Sequence, residues 1–218
     1  MDEVALRRHN NAERATIEVD FKEEIALVMV LQNKGEPFVF DKDEHFRPGL
    51  PWSSLPRSPS AFVPKTGNVT AGNSSGSNDG DSAVVIMSAD KARGLAIQPM
   101  ARILATGRGA CHPSVMGLSP VPAVRDLLRR NPEFNLVDFE LNEAFAVQYL
   151  GCERELGLNR ENTNVNGSRI GLGHPMGSTG CRITVTLLYA IKHKDKSLGL
   201  ATLCGGGGVS MPCALEMV

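Results

Sequence analysis

The chain has no long apolar run, no pair of cysteines spaced as CxxC and almost no net charge. The first absence excludes a transmembrane helix, which needs about 20 consecutive apolar residues. The cysteines, at 111, 152, 181, 204 and 213, are odd in number and irregularly spaced. That pattern makes neither a disulfide framework nor a zinc site, so reduced thiols in the cytoplasm are the expectation, with no metal. A formal charge of −1 supplies no field to gather nucleic acid or an anionic membrane surface. Arg7, Arg8 and Arg14 alternate with Asp2, Glu3 and Glu13, unlike a transit or signal peptide, and Glu216-Met217-Val218 matches no known address signal. What is present is enough for a core: 42% of the 218 residues are hydrophobic, as in one large globular domain or one and a half smaller ones.

Residues 3–15 read as a polar helix, and 21–30 as a strand around the apolar run 25–31. Six prolines between 37 and 64 (Pro37, Pro48, Pro51, Pro56, Pro59 and Pro64) deny regular structure to most of 33–68, because each fixes φ and removes a donor. The Gly, Ser, Asn and Asp of 70–81 form a loop. It runs into 83–87, a β-branched apolar run with the character of a buried strand, after which Ser88 caps a short helix over 89–95. From there strands and helices alternate: strand 101–106, helix 122–130, strand 137–141, helix 143–156, helix 178–193, strand 199–203 and a last strand near 209–216. This alternation predicts an α/β layered fold. The boundary falls near 97, with 98–218 a complete domain and 1–97 the end of another.

Three constellations carry chemistry. His174 stands in Gly171-Leu172-Gly173-His174-Pro175-Met176-Gly177, bracketed by glycine immediately before a helix. The positive field of a helix N-terminus would keep its imidazole neutral, a hydrogen-bond donor near pH 7. The bland alternative is a turn histidine capping a buried helix. Cys204 ends an apolar strand at a sheet edge, ahead of Gly205-Gly206-Gly207-Gly208, whose unshielded N–H groups suit an oxyanion hole. Its thiol could exchange protons near neutral pH, or it could be a small buried hydrophobe before a flexible turn. Asn142, in Asn142-Glu143-Ala144-Phe145, either caps the following helix or offers an amide that holds a water or a carbonyl oxygen.

Asn-Glu-Ala-Phe, then Asn164-Val165-Asn166-Gly167 with Gly-His-Pro, then Cys with a glycine run resembles the thiolase family of acyl-CoA C-acyltransferases. The intervals of 32 residues from Asn142 to His174 and 30 from His174 to Cys204 agree with that pattern. The loop 70–80, Val115-Met116-Gly117 and Pro120-Val121-Pro122-Ala123 are similar too, so the resemblance covers essentially the whole chain. It implies a thiolase-like layered fold with the complete C-terminal half and the end of the N-terminal half. It also implies Claisen condensation or thiolysis of 3-ketoacyl-CoA, with coenzyme A thioesters as substrates and no bound cofactor. By resemblance, His174 and a water on Asn142 form one oxyanion hole, Cys204 is the acid/base, and the Gly206 N–H serves a second oxyanion hole. Ser75 touches the pantetheine arm of CoA, and Phe145 and Met116 line the acyl pocket.

The family also uses a second, nucleophilic cysteine, in a region ahead of what residues 1–24 resemble. None of Cys111, Cys152, Cys181 or Cys213 stands in a matching motif. The expectation is a truncated or split polypeptide, inactive alone and in need of a complementary N-terminal half. A non-catalytic relative that binds acyl-CoA or a full-length subunit is the alternative. Ser168-Arg169 replaces small residues of the family pattern, Asp81 stands where the family has alanine at the start of a buried element, and Pro212 interrupts the last strand. Strands near 25–31 and 83–87 would lack neighbours, so self-association is expected.

Overall fold

The computed structural model describes residues 1–18, 20–134 and 138–218. The first helix, α1 (Asp2–Ile17), buries Val4, Ala5, Arg8, His9, Ala12 and Ala15, a three-and-four spacing that makes one continuous face. That face contains a fully buried arginine, which composition alone reads as solvent-exposed. A two-stranded ribbon follows, β1 (Val28–Val30) paired antiparallel with β2 (Phe38–Phe40), and both strands are largely exposed. The 21–30 strand expectation therefore shrinks to three residues. The loop to residue 70 contains only a 3-10 turn, Trp52–Ser54.

Residues 83–87 do not form the expected buried strand: Val85 is 86% exposed and Ile86 69%. With no neighbouring strand among the described residues, the backbone there has nothing to pair with. The short helix α2 (Ala89–Gly94) does form, and Ser88 Oγ accepts the Lys91 N–H at 3.2 Å as its cap. Asp81 is exposed and accepts the Ser82 N–H, so the feared burial of an unpaired carboxylate does not arise.

The C-terminal part is a four-stranded mixed sheet in the order β3 (Ala101–Thr106), β8 (Cys213–Met217), β6 (Leu198–Thr202), β5 (Asp138–Leu141). The expected strand 137–141 is β5, with residue 137 outside the described residues. Pro212 divides the expected last strand into β7 (Val209–Ser210) and β8, and β7 pairs with β4 (Gly109–Ala110) in a small ribbon. On one face of the sheet, Leu200 and Ala214 meet Val124 and Leu127 of α3 (Pro120–Arg130). On the other, Ala201 and Leu215 meet Ile183, Leu187 and Ile191 of α6 (Thr179–His193). Neighbours 200 and 201, or 214 and 215, point to opposite faces because strand side chains alternate. Each large aliphatic chain buried this way contributes about 1.5–3 kcal/mol. Two further helices, α4 (Ala146–Leu156) and the single turn α5 (Ser168–Leu172), pack beneath α1. The approach of α1 to α5 is close enough that a Cβ on Gly171 would meet the Arg8 carbonyl oxygen at 2.6 Å.

Among the described strands only β5 and β6 run parallel, and their C-terminal ends therefore open on the same side. None of the described helices is long and apolar enough to cross a membrane. Among the described residues no cluster of His, Cys, Asp or Glu is arranged to hold a metal ion.

Candidate active site

The parallel pair places Asn142 just past the end of β5, and Cys204 two residues past the end of β6. The Asn142 N–H donates to the Thr202 carbonyl at 2.9 Å, which extends the ladder by one bond and brings the two segments side by side. Strand β6 is interior to the sheet, and Cys204 follows the end of this central strand as the backbone turns at the edge of the sheet, as expected from the sequence. Helix α4 begins only at Ala146, with Phe145 at its N-cap position, so Asn142 does not cap it. The Asn142 side chain is 1% exposed, and its amide makes no hydrogen bond of ordinary geometry among the described residues, its nearest polar neighbour being the Cys204 sulfur.

Around the Cys204 sulfur, burial pushes the thiol up. The Arg169 guanidinium, the N–H groups of Cys204 and Ala144, and the Asn142 amide pull it back. Gly205 donates to Val209 O at 2.8 Å and Gly208 to Gly205 O at 3.1 Å. Gly206 and Gly207 have no such backbone partner among the described residues, so two of the four glycines keep free donors. Cys152 is fully buried, donates to Gly117 O at 3.4 Å, and is pushed up to about 12 by burial, a thiol without nucleophilic character at neutral pH.

The loop 70–81 ties this cluster to His174. Ser74 bridges to Phe145, and the Ser75 N–H donates to Ala144 O at 3.2 Å. Three residues on, the Asn78 N–H donates to His174 O and the His174 N–H donates to Asn78 Oδ1, both at 3.2 Å. Gly173, at φ 81°, turns the chain where any side chain would collide with Asn78. The His174 ring is held at about 4 by burial and by the charges of Arg169 and Arg182, so it is neutral at pH 7. Arg169 thus acts on both His174 and Cys204, while its Nε is buried without a partner. His174 also borders an open cleft of about 630 Å³ lined by residues 77–82, Met176, Ser178 and Cys181.

Cys204 and Asn142 come together, Gly206 follows Cys204 by two residues in the same turn, and Ser75 and Phe145 join through Ala144 and Ser74. No hydrogen bond links His174 directly to Cys204 among the described residues. Met116 lies in the 3-10 segment Pro113–Leu118, beyond Cys111, whose N–H donates to Gly208 O at 2.8 Å; no bond ties its side chain to the cluster. Sequence reasoning missed four supporting residues. Asn78 anchors the backbone of His174, and Thr179 Oγ1 lies 2.6 Å from its Nδ1. The Phe62 ring packs edge-on against Phe145 at 5.8 Å. Arg8 Nε donates to Glu143 Oε1 at 2.6 Å, beside Asn142. Of these only Thr179, five positions after His174 at the start of a helix, had a local signal.

Residues 1–90 match the family profile "Thiolase, N-terminal domain" and residues 97–217 match "Thiolase, C-terminal domain". An "Acetyl-CoA acetyltransferase" of Cupriavidus necator is 44% identical over 99% of this chain and 55% of its own length. A "3-ketoacyl-CoA thiolase" of Aeromonas hydrophila is 42% identical, over all of this chain and 57% of its own. The crystal structure of the Bacillus anthracis acetyl-CoA acetyltransferase superposes with a TM-score of 0.95 at 42% identity, over all of this chain and 55% of that one. The chain spans little more than half the length of these relatives.

Proposed function

The chain belongs to the thiolase family, and from that premise we propose that it supplies the enolate-forming half of an acyl-CoA C-acyltransferase site. The reaction is Claisen condensation of acyl-CoA, or its reverse, thiolysis of 3-ketoacyl-CoA. The observation that carries the proposal is the buried Asn142 amide beside Cys204, which has no ordinary hydrogen bond among the described residues and only the thiol sulfur for a polar neighbour. Buried amides so poorly paired are rare, and one beside this thiol suits a guest such as a water or a substrate oxygen.

Cys204, held above the ordinary thiol range, starts protonated and acts first as an acid, giving its proton to a departing CoA thiolate. The resulting Cys204 thiolate, facing Arg169 and the Ala144 N–H, then removes the α-proton of a second acyl-CoA. The enolate oxygen takes a hydrogen bond from the neutral imidazole of His174 and another from a water on Asn142. The enolate carbon attacks an acyl thioester on a cysteine of the segment that precedes these residues in the longer family members. The tetrahedral oxyanion draws on the free Gly206 N–H, and collapse expels the cysteine thiolate, the form in which it attacked the first acyl-CoA, while Cys204 keeps the α-proton and so returns to its starting thiol. Donors placed in advance for both oxyanions are what such a two-step reaction requires. Ser75 contacts the pantetheine arm, Phe145 and Met116 border the acyl chain, and the five free thiols suit the cytoplasm.

Thiolysis of acetoacetyl-CoA by added CoA, followed by the loss of the ketoacyl absorbance, tests this. The 218-residue chain alone should be silent. Mixed with a thiolase N-terminal segment bearing the acyl-accepting cysteine, it should turn over. Turnover by the chain alone would contradict the proposal. CoA binding with no turnover from a folded assembly would favour a non-catalytic acyl-CoA binder.

A further inference from the structure

His174 can act as an enolate donor only if its proton sits on the nitrogen facing the substrate, and the structure contains a group that decides this. His174 Nδ1 lies 2.6 Å from Thr179 Oγ1, and Thr179 is completely buried in the first turn of α6. The threonine hydroxyl has one proton and two acceptors within reach, Nδ1 at 2.6 Å and the Pro175 carbonyl oxygen at 3.0 Å. That carbonyl already accepts the backbone N–H of Ser178 at 2.8 Å and of Thr179 at 2.9 Å. A carbonyl oxygen offers two lone pairs, and both are taken. The hydroxyl proton therefore goes along the shorter line, to Nδ1. A neutral imidazole carries a single N–H, so an accepting Nδ1 places the proton on Nε2. The reverse arrangement would make the hydroxyl a third donor to a filled carbonyl and leave Nε2 an acceptor, unable to stabilise an oxyanion.

We propose that Thr179 is a positioning residue that locks His174 in the Nε2–H tautomer by donating its hydroxyl to Nδ1. This rests on the acyltransferase reading of His174. The His174 backbone is held by its two hydrogen bonds to Asn78, which fixes the point from which the ring reaches Thr179. A group that orients an imidazole through its second nitrogen commonly changes activity by about 10–100-fold in metal sites, and a similar loss is expected here.

The test is a long-range proton–nitrogen NMR spectrum of the 218-residue chain with 15N-labelled histidine. The His174 signals are assigned by their loss in His174→Gln. In the unmodified chain Nε2 should be protonated and Nδ1 bare at pH 7. Thr179→Ser should preserve that pattern, and Thr179→Val should let the Nδ1–H tautomer appear. A protonated Nδ1 in the unmodified chain, which needs no variant to fold, would overturn the proposal, as would a His174 pattern unchanged in Thr179→Val. In an assembly competent for condensation, Thr179→Val should lower kcat about 10–100-fold with KM for acetyl-CoA little changed, and Thr179→Ser should recover most of it. The two claims fail separately. A tautomer other than Nε2–H overturns the role of Thr179 whatever the activity. Full condensation by His174→Ala overturns the acyltransferase role of His174 while the ring still reads as expected.

Discussion

Arg8 and Glu143, 135 positions apart, form an ion pair with both side chains fully buried. Burial pulls the Arg8 guanidinium down, but Glu143 and Tyr149 more than offset it, and the Tyr149 ring lies 4.5 Å beneath. Asn164 Nδ2 donates to the same Glu143 oxygen at 2.6 Å and also to Leu141 O at 2.8 Å, so the turn carrying Asn142 is clamped from below. Arg8→Met should cost about 3–5 kcal/mol in urea unfolding, because it strands a buried carboxylate, whereas Arg8→Met with Glu143→Leu should recover much of the loss. A cost under about 1 kcal/mol for the single variant would contradict this role. Titration gives a second expectation at this scale. Burial raises Glu24 to about 7 and Glu140 to about 8, against the pull of Arg182. Both therefore keep a proton in the folded chain that the unfolded chain releases near 4.5. Their stabilising contribution is full below that value and is lost as pH rises through 7 and 8. His9 and His174, lowered to about 4, act in the opposite sense: their contribution is full above about 6.5 and lost as pH falls through 4. Glu140→Gln should flatten the decline in urea midpoint between pH 5 and pH 8, and an unchanged decline would show that Glu140 is ionised throughout. The site residues with local context, His174 in glycine and Cys204 before it, were legible in the sequence. Arg8 was not, because a helix of polar composition gives no sign that its partner lies at the far end of the chain.

The glycine turn after Cys204 shows how unequal four identical residues become within one element. Gly206 has ordinary φ and open space where a Cβ would go, while Gly208 has φ 85° and would drive a Cβ into the Cys111 carbonyl. Gly206→Ala should leave the thermal midpoint within error and preserve the N–H that the mechanism uses. Gly208→Ala should cost roughly 1–3 kcal/mol through backbone strain and shift the midpoint down by several degrees. Equal midpoints would mean that the turn can be rebuilt without its positive φ. The amphipathic helices and the strands of the C-terminal sheet were legible for the same reason: periodicity and turn residues agree with the final packing, as with Ile183, Leu187 and Ile191 on one face of α6. The failures were of two kinds. Residues 143–145 continue helical composition into an extended turn because the ladder bond from Asn142 to Thr202 holds its start. Residues 83–87 have strand composition without a strand, since β propensity describes fitness for a pleated surface that here has no neighbour.

At the scale of the molecule, two runs stand out among the exposed apolar side chains of the described residues. Leu27, Val28, Met29 and Leu31 are 52–83% exposed beside Phe38, and Val85 and Ile86 stand out before α2. Patches of this kind mark surfaces that associate. The chain should sediment as a concentration-dependent oligomer, and an added thiolase N-terminal segment should raise its thermal midpoint, because a partner that binds only the folded form stabilises it. A dilution-resistant monomer with an unchanged midpoint would contradict both expectations. The central claim, that Cys204 moves protons and does not accept the acyl group, is tested most directly by intact mass. A Cys204→Ala assembly with the N-terminal segment is incubated with acetyl-CoA and compared with the unmodified assembly. The account predicts one acetyl group trapped on the partner segment, none on this chain and no acetoacetyl-CoA formed. An acetyl group on Cys204 of the unmodified chain, or condensation at an undiminished rate in Cys204→Ala, would contradict it.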